Sequence, residues 1–360
     1  MIWITGGGTG GHLFPALHIA QEVLARHPNM KVHLIGARRG LEAQLLPERP
    51  WTFSLLPVVG NLRQGWSERV NFYSRLGLSL VTCEALYRTT RPRLVLGTGG
   101  YASFPAAQIA AWHGVPLCWQ EQNALPGEVT RKMAARCKKV FSGYPGLESE
   151  LTQTEVIHTG NPVQENIAKG DRSRGRKTGG FAQDDMVLLV LGGSGGAASI
   201  NQAIARIAGM LNQKGHIRIW WQTGTREYEE WKSRIAPELF PGTMCPFIDD
   251  MADAYAAADL VVARAGAMTT AEICAAGKPA ILVPFPEAAG NHQTHNAKLL
   301  VNRGAALWVR DDELETEKLA EILLGLASDP TLRAKLAASA RRLGRPDAVS
   351  HIVDEMEVYL

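Results

Sequence analysis

Three glycine-rich segments, each preceded by a short apolar run, are where the composition of this chain most directly suggests chemistry. They are Gly6-Gly7-Gly8-Thr9-Gly10-Gly11-His12, Gly97-Thr98-Gly99-Gly100-Tyr101 and Gly192-Gly193-Ser194-Gly195-Gly196-Ala197. Glycine lets the backbone approach a ligand closely, and unpaired N–H groups at the start of the next helix favour an anion. One such loop is as readily a tight strand-to-helix turn; three in one chain point to phosphate recognition. The nucleoside-triphosphate loop GxxxxGK[ST] is excluded, because no Lys-Ser or Lys-Thr follows the loops that open the two halves. Gly6, Gly8 and Gly11 satisfy the dinucleotide spacing, but that use also needs an acidic residue at the end of the second strand. That strand ends here at Gly36-Ala37-Arg38-Arg39, and its counterpart in the second half at Gln222-Thr223-Gly224. An NADP enzyme using Arg38 is therefore demoted.

A later segment is more specific. Arg264-Ala265-Gly266-Ala267-Met268-Thr269-Thr270-Ala271-Glu272 reads as a glycine turn feeding a helix with hydroxyls in its first turn. Backbone N–H groups and threonine hydroxyls there could hold a diphosphate. Glu272, three residues beyond Thr269 and on the same helical face, could accept both hydroxyls of a ribose. The bland alternative is an ordinary helix start with a first-turn Glu favoured by the dipole. A second polar cluster, Gly290-Asn291-His292-Gln293-Thr294-His295-Asn296, tips the reading towards a nucleotide-sugar pocket.

Positioning these residues requires alternating strands and helices. Strands are predicted at 2–5, 32–36, 53–57, 94–97, 117–120 and 140–142, then at 186–191, 217–222, 260–263, 280–284 and 305–309. Helix-like segments lie between them, and continuous apolar strands of this kind indicate parallel sheets covered on both faces. The polar, basic stretch 170–185 (GDRSRGRKTGGFAQDD) reads as a linker between two tandem α/β units. The cleft between two such units is the default ligand site. The 360 residues suit two domains, and a net charge of +3 gives no reason to expect nucleic acid as a partner. Five scattered cysteines with no CxxC pair read as reduced thiols. No run approaches the ~20 apolar residues of a membrane span, and the N-terminus does not read as a signal peptide.

Taken together, eight blocks in order resemble the MurG family, the bacterial peptidoglycan N-acetylglucosaminyltransferases of glycosyltransferase family 28. They are GGGTGGHLFPA (6–16), GTGGYASFPA (97–106), EQNALPG (121–127), GNPV (160–163), GGSGGAASIN (192–201), FIDDM (247–251), RAGAMTTAEICAAGKPAILVPFP (264–286) and NHQTHNA (291–297). The resemblance implies a GT-B fold, with two Rossmann-like doubly wound α/β domains facing across a cleft. Residues 1–163 would form the acceptor- and membrane-facing domain and 164–344 the donor domain, with a C-terminal helix at 345–360 returning to the first. It implies inverting transfer of N-acetylglucosamine from UDP-N-acetylglucosamine to the C4 hydroxyl of undecaprenyl-pyrophosphoryl-N-acetylmuramoyl-pentapeptide. A related glycolipid transferase, or a non-catalytic nucleotide-sugar-binding protein, is the alternative.

Carried over by motif, the donor pocket would contain Thr9, Gly10, Gly11 and Asn123 from the first half. From the second half it would contain Gln164, Ser194, Ile248, Ala267, Met268, Thr269, Thr270, Ala271, Glu272 and Gln293. Ile248 would pack beside uracil with backbone groups reading its edge, and Gln293 would bind sugar hydroxyls. The acceptor's diphosphate would be held by Gly8, Gly99, Gly100 and Tyr101. The chain departs from the family at Gln120, where His is usual, at Gln164, where Arg is frequent, and at Gly195, where Gln is frequent. The change at Gln164 removes a cation expected near the donor phosphates, and Arg264 is the candidate replacement.

Inverting transfer needs a base for the acceptor hydroxyl, and His12 is the first candidate, with Glu121 the second. Helix capping or phosphate orientation is an equal alternative for His12. No Asp-x-Asp is present and Asp249-Asp250 are adjacent, so no metal or other cofactor is expected to be required. Arginines 63, 69, 75, 88, 91 and 93 interleave with Leu62, Trp66, Phe72, Tyr73, Leu76 and Leu80, and Arg131, Lys132, Arg136, Lys138 and Lys139 form a second cluster. That pattern suggests an interfacial patch on an anionic membrane surface, placing the protein peripherally on the cytoplasmic face of the inner membrane. An amphipathic helix with its apolar face in the core would account for most of the same residues over 67–87. Contacts with other cell-wall synthesis proteins are a further expectation from the family.

Overall fold

A computed structural model describes residues 1–47, 51–60, 65–193, 195–235, 240–315 and 317–360. The chain divides into two compact units, Met1–Val163 with Asp347–Leu360, and Gln164–Pro346.

The first unit runs β1 (Ile2–Thr5), α1 (Gly10–Arg26), β2 (Val32–Ala37), α2 (Glu42–Leu45), β3 (Thr52–Leu56), α3 (Trp66–Thr90), β4 (Leu94–Gly97), α4 (Phe104–Trp112), β5 (Leu117–Glu121), α5 (Glu128–Met133), β6 (Lys139–Ser142) and β7 (Glu155–His158). Its seven strands lie in the order β3-β2-β1-β4-β5-β6-β7, and every pairing is parallel. The central strands are buried along their whole length and mostly apolar, as a parallel sheet covered on both faces requires, with polar exceptions such as Thr5, Gln120 and Glu121 at their C-terminal ends.

The second unit runs α6 (Arg172–Gly179), β8 (Met186–Leu191), α7 (Ala198–Gly215), β9 (Ile217–Gln222), α8 (Tyr228–Arg234), β10 (Gly242–Cys245), α9 (Met251–Ala257), β11 (Leu260–Arg264), α10 (Ala267–Ala276), β12 (Ala280–Val283), α11 (His292–Val301), β13 (Leu307–Trp308), α12 (Lys318–Ser328) and α13 (Pro330–Leu343). Its six strands are also all parallel, in the order β10-β9-β8-β11-β12-β13.

In each sheet the first strand has its sequence successor on one side and a later strand on the other, β1 between β2 and β4, β8 between β9 and β11. Adjacent loops run in opposite directions at these switch points and leave a crevice beyond the strand C-termini. The glycine segments after β1 and β4 border the first crevice; the glycine segment after β8 and the Gly266 turn after β11 border the second.

The last helix, α14 (Ala348–Met356), belongs to the first unit. Ile352, Val353 and Met356 are fully buried in the cluster formed by Ile2, Ile4, Leu17 and Ala20, a burial of roughly 1.5–3 kcal/mol per side chain. Arg26 pairs with Asp354, and His27 with Glu357.

Two sequence expectations change here. The stretch 170–185 is not a loose linker. Asp171 caps α6 by accepting from Arg174 N, and α6 packs on α9. Its arginines are consumed internally: Arg172 and Arg176 pair with Asp259, and Arg174 with Asp253. Polar composition resembled a linker because the packing partners were carboxylates distant in sequence. The helix α3 also departs from a core-facing amphipath. Only Ser79 and Cys83 of it are buried, whereas Trp66 is 84% exposed, Val81 66% and Tyr73 60%. Leu62 and Arg63 of the proposed patch lie outside the described residues. Cys83, Cys118 and Cys274 are free and buried, and burial pushes each thiol up to about 12.

Candidate functional site

The turn from β1 into α1 is backed by a carboxylate from a later stretch of the chain. After β2 the backbone turns at Gly40 into α2, which carries Glu42 back beneath the first glycine loop. Glu42 is completely buried, and both of its carboxylate oxygens accept from Gly8 N at 3.0 Å, while Oε1 also accepts from Ala37 N at 2.6 Å. A Cβ at Gly7, Gly36 or Gly40 would collide with this carboxylate. These glycines therefore make room for Glu42. The Gly8 N–H, expected at the acceptor's diphosphate, is bonded here to the buried Glu42 carboxylate.

Gly99 and Gly100, both at positive φ (89° and 75°), have a similar internal reason. A Cβ on Gly99 would lie 2.9 Å from His12 Nδ1, and one on Gly100 would lie 2.3 Å from Gly7 O. The Tyr101 ring packs over Gly8 and Gly60, and burial, with Glu42 nearby, raises its phenol above the ordinary range. The glycines after β4 thus admit the imidazole of His12. Thr9, exposed, caps α1 without a side-chain bond, and Gly10 and Gly11 open the helix. First-turn N–H groups of this kind have no intrahelical acceptor.

His12 stands in the first turn of α1, part-exposed, with Nδ1 2.8 Å from Gln122 Oε1 and 3.1 Å from Thr98 O. The orientation of Gln122 is fixed, because its Nε2 donates to Thr98 O, Gln120 O and Gln120 Oε1. Both atoms facing Nδ1 are therefore acceptors, so Nδ1 carries a proton and, in the neutral ring, Nε2 holds the lone pair. Among the described residues none bonds Nε2. Gln120, the departure from the family's His, is fully buried and donates onward to Asn161 Oδ1 at 3.1 Å. It braces Gln122, which orients His12.

Glu121 does not qualify as a base. It is buried, with Oε1 accepting from Asn123 N (3.0 Å) and Asn123 Nδ2 (3.2 Å), and Oε2 accepting from Gly127 N (3.0 Å) and the Thr130 hydroxyl. A carboxylate with four donors organises the loop between β5 and α5, and holds Asn123 within it.

In the second unit, Gly266 caps α10, whose first turn is Ala267, Met268, Thr269 and Thr270, followed by Ala271 and Glu272. Met268 N and Thr269 N are first-turn donors without intrahelical acceptors. Thr269 is part-exposed, so its hydroxyl can reach a ligand. Thr270 cannot: it is fully buried and its hydroxyl lies against Gly266 O (2.9 Å) and Ala267 O (3.0 Å), back-bonded into its own turn. Glu272 accepts from the Tyr255 hydroxyl at 3.1 Å on Oε2, and burial pushes its carboxyl up to about 7.

Gln293, in α11, accepts from Phe285 N at 2.9 Å through Oε1, which leaves Nε2 as the donor for a sugar hydroxyl. Ile248 is buried and its N–H donates to Gln222 Oε1 at 3.0 Å, so that N–H cannot also read a base edge; the carbonyl remains for it. Gln164 is exposed at the start of a 3-10 turn, Glu165–Ala168, that packs on α9 and α10. Ser194 lies outside the described residues. Arg264 does not replace the missing cation. It pairs with Asp311, donates to Ser199 Oγ at 2.8 Å and Val283 O at 3.2 Å, and stacks on Phe285, so its charge is spent inside the unit.

Two family models match the chain, the glycosyltransferase family 28 N-terminal domain over residues 2–142 and the C-terminal domain over residues 187–352. A UDP-N-acetylglucosamine–N-acetylmuramyl-(pentapeptide) pyrophosphoryl-undecaprenol N-acetylglucosamine transferase of Desulfitobacterium hafniense (strain Y51) is 39% identical over 358 residues, 98% of this chain and 97% of that protein. The chain belongs to glycosyltransferase family 28. A transferase of the same description from Carboxydothermus hydrogenoformans is 36% identical, covering 99% of this chain and 96% of its own. The crystal structure of Acinetobacter baumannii MurG superposes with a TM-score of 0.76 at 27% identity, over 99% of this chain and 98% of that one. A UDP-GlcNAc 2-epimerase from Neisseria meningitidis shares the fold, with a TM-score of 0.68 at 16% identity over 99% of this chain and all of that one.

Three residues of this family 28 chain escaped the sequence reading: Glu42, Gln122 and Tyr255. Glu42 had a signal. A carboxylate was sought at the end of β2, and it stands five residues past Ala37, facing the glycine loop. Its capture by Gly8 N also removes the dinucleotide reading, because the first-loop N–H that pyrophosphate would need is occupied. Gln122 stood inside the EQNALPG block without a role to mark it, and Tyr255 had no signal, since each matters only through the side chain it touches.

Proposed function

We propose that this family 28 chain transfers N-acetylglucosamine from UDP-N-acetylglucosamine to the C4 hydroxyl of undecaprenyl-pyrophosphoryl-N-acetylmuramoyl-pentapeptide, with inversion at the anomeric carbon. The likeness to transferases of that description along nearly the whole chain carries the substrate assignment. The proton-free Nε2 of His12 carries the mechanistic one. As the acceptor oxygen bonds to the anomeric carbon and the bond to UDP breaks, Nε2 takes the hydroxyl proton; Gln122 Oε1 and Thr98 O, already accepting from Nδ1–H, then stabilise the imidazolium so formed. Negative charge gathering on the departing diphosphate is met by Met268 N, Thr269 N, the Thr269 hydroxyl and the positive end of α10. Glu272 takes the ribose hydroxyls and Gln293 Nε2 a sugar hydroxyl.

Fixed backbone donors make a metal unnecessary in this scheme, and among the described residues no three His, Cys, Asp or Glu side chains cluster as metal ligands would. The lipid-linked acceptor implies work at a membrane, on the cytoplasmic face of the inner membrane. No described helix is long and apolar enough to cross one. Peripheral docking through α3 suits its exposed face: Trp66, Val70, Tyr73 and Val81 line one side, with Arg69 beside them.

The deciding experiment follows UDP release from UDP-N-acetylglucosamine, with and without the lipid-linked muramoyl acceptor, in EDTA. Acceptor-dependent release that persists in EDTA is expected. Donor binding with no release would make the chain a sensor, and release that stops in EDTA would overturn the metal-free scheme. Sedimentation with anionic vesicles at low salt tests the docking face, and Trp66→Asp should weaken it.

A further inference from the structure

Tyr255 is completely buried in α9, yet its hydroxyl reaches out of that helix to a carboxylate on the next one. Its position is over-determined. Asp250 caps α9 by accepting from Asp253 N; Asp253 in turn is clamped by Arg174 and by Asp171 N at 2.8 Å. The α6–α9 pair that the polar stretch 170–185 builds is therefore the platform on which Tyr255 sits.

We infer that Tyr255 is a positioning residue for nucleoside recognition: its phenol anchors Oε2 of Glu272 and so presents Oε1 to the two ribose hydroxyls of the donor. This rests on reading Glu272 as the ribose ligand and adds to it the group that aims the carboxylate. A buried phenol needs an acceptor, and a carboxylate on a part-exposed helical position needs a reason to hold one rotamer before the ligand arrives. One hydrogen bond serves both needs.

The same bond tunes the charge state. Burial raises the Glu272 carboxyl to about 7, and the Tyr255 hydroxyl pulls against that rise. Other titratable groups on the packed elements are otherwise engaged. Asp253 of α9 is paired with Arg174, and Glu165 with Lys169. The Cys274 thiol is pushed up to about 12, and Arg341 of α13 lies over Gly277 at the opposite end of α10. His292, His295 and Lys298 belong to α11, and among the described residues Tyr255 is the side chain that bonds the carboxyl and lowers it.

The test uses the full chain with UDP and 2′-deoxy-UDP as probes, in wild type, Tyr255→Phe, Glu272→Gln and the double variant. Tyr255→Phe should weaken UDP by about 5–10-fold, the effect of losing one ordinary hydrogen bond. It should leave saturated turnover within about twofold, because the interaction is made equally in ground and transition states. Its preference for UDP over 2′-deoxy-UDP should fall towards that of Glu272→Gln, and the pH below which UDP affinity declines should move up. In the Glu272→Gln background the same change should do nothing further. Unaltered affinity, sugar preference and pH midpoint in Tyr255→Phe, with Glu272→Gln impaired, would overturn this inference alone. An unimpaired Glu272→Gln would remove the ribose assignment, and a wild type that ignores UDP would remove the function with it.

Discussion

The first glycine loop and the turn at Gly266 are built alike: a buried parallel strand, a glycine turn beside a switch point, and a helix whose opening N–H groups lack intrahelical acceptors. They differ in what faces the turn. Beneath the first loop, Glu42 fills the cradle with a carboxylate of the chain's own, bonded to Gly8 N and Ala37 N. At α10, Met268 N and Thr269 N meet no carboxylate among the described residues; Glu272 stands a turn further along, turned to Tyr255. Glycine richness is thus no measure of phosphate binding. Three glycines around Glu42 exist because a buried side chain needs the space, whereas the α10 turn has a single glycine and a part-exposed Thr269 beside it.

That comparison assigns different work to the two places, and each can be disturbed separately. The largest effect should come from His12, which the first loop aims. His12→Ala should lower turnover by about 10²–10⁴-fold with donor affinity near wild type, read from steady-state kinetics beside UDP titration. A proportional loss of donor affinity would show the first loop to be a donor cradle after all. Next comes the internal anion. Glu42→Ala strands two buried N–H groups and leaves a cavity, a loss of about 2–4 kcal/mol, visible as a Tm several degrees lower. Added sulfate should recover part of that Tm in the variant and none in the wild type. Recovery in neither would mean that the loop does not behave as an anion cradle even when emptied.

The smallest effect concerns α10. Because burial raises the folded-state carboxyl of Glu272 from 4.5 to about 7, the folded protein keeps a proton there that the unfolded chain has already lost. Stability therefore declines as pH rises between those values. Glu272→Gln should accordingly be more stable than wild type by about 1–2 kcal/mol near pH 8 and close to it near pH 5, measured by denaturant unfolding at both. Equal stability at the two pH values would place Glu272 in water and remove its strain.

Much of this was legible beforehand, for identifiable reasons. Apolar runs such as Val187–Leu191 and Leu94–Leu96 marked central strands because strands covered on both faces are predominantly apolar. The edge strands β7 and β10, with sequences EVIH and GTMC, escaped because an edge strand is part-exposed and mixed in character. The candidate base was visible as a histidine at a glycine loop, but its competence was not. Nor could the sequence distinguish Thr269, which faces solvent, from Thr270, which bonds back into its own helix.

What the residues determined unaided is the alternation of buried strands and helices, the two-unit plan and the family, since those follow from local periodicity and from motifs contiguous along the chain. Tertiary structure alone decided which glycine loop is already filled, which ring nitrogen of His12 holds the proton, and which face of α3 is left uncovered. The first two depend on partners far away in sequence, Glu42 for Gly8 and Gln122 for His12, as the orientation of Glu272 does on Tyr255. A donor's chemistry is written in its residue type, but whether it is free for a ligand is settled only by what folding places against it.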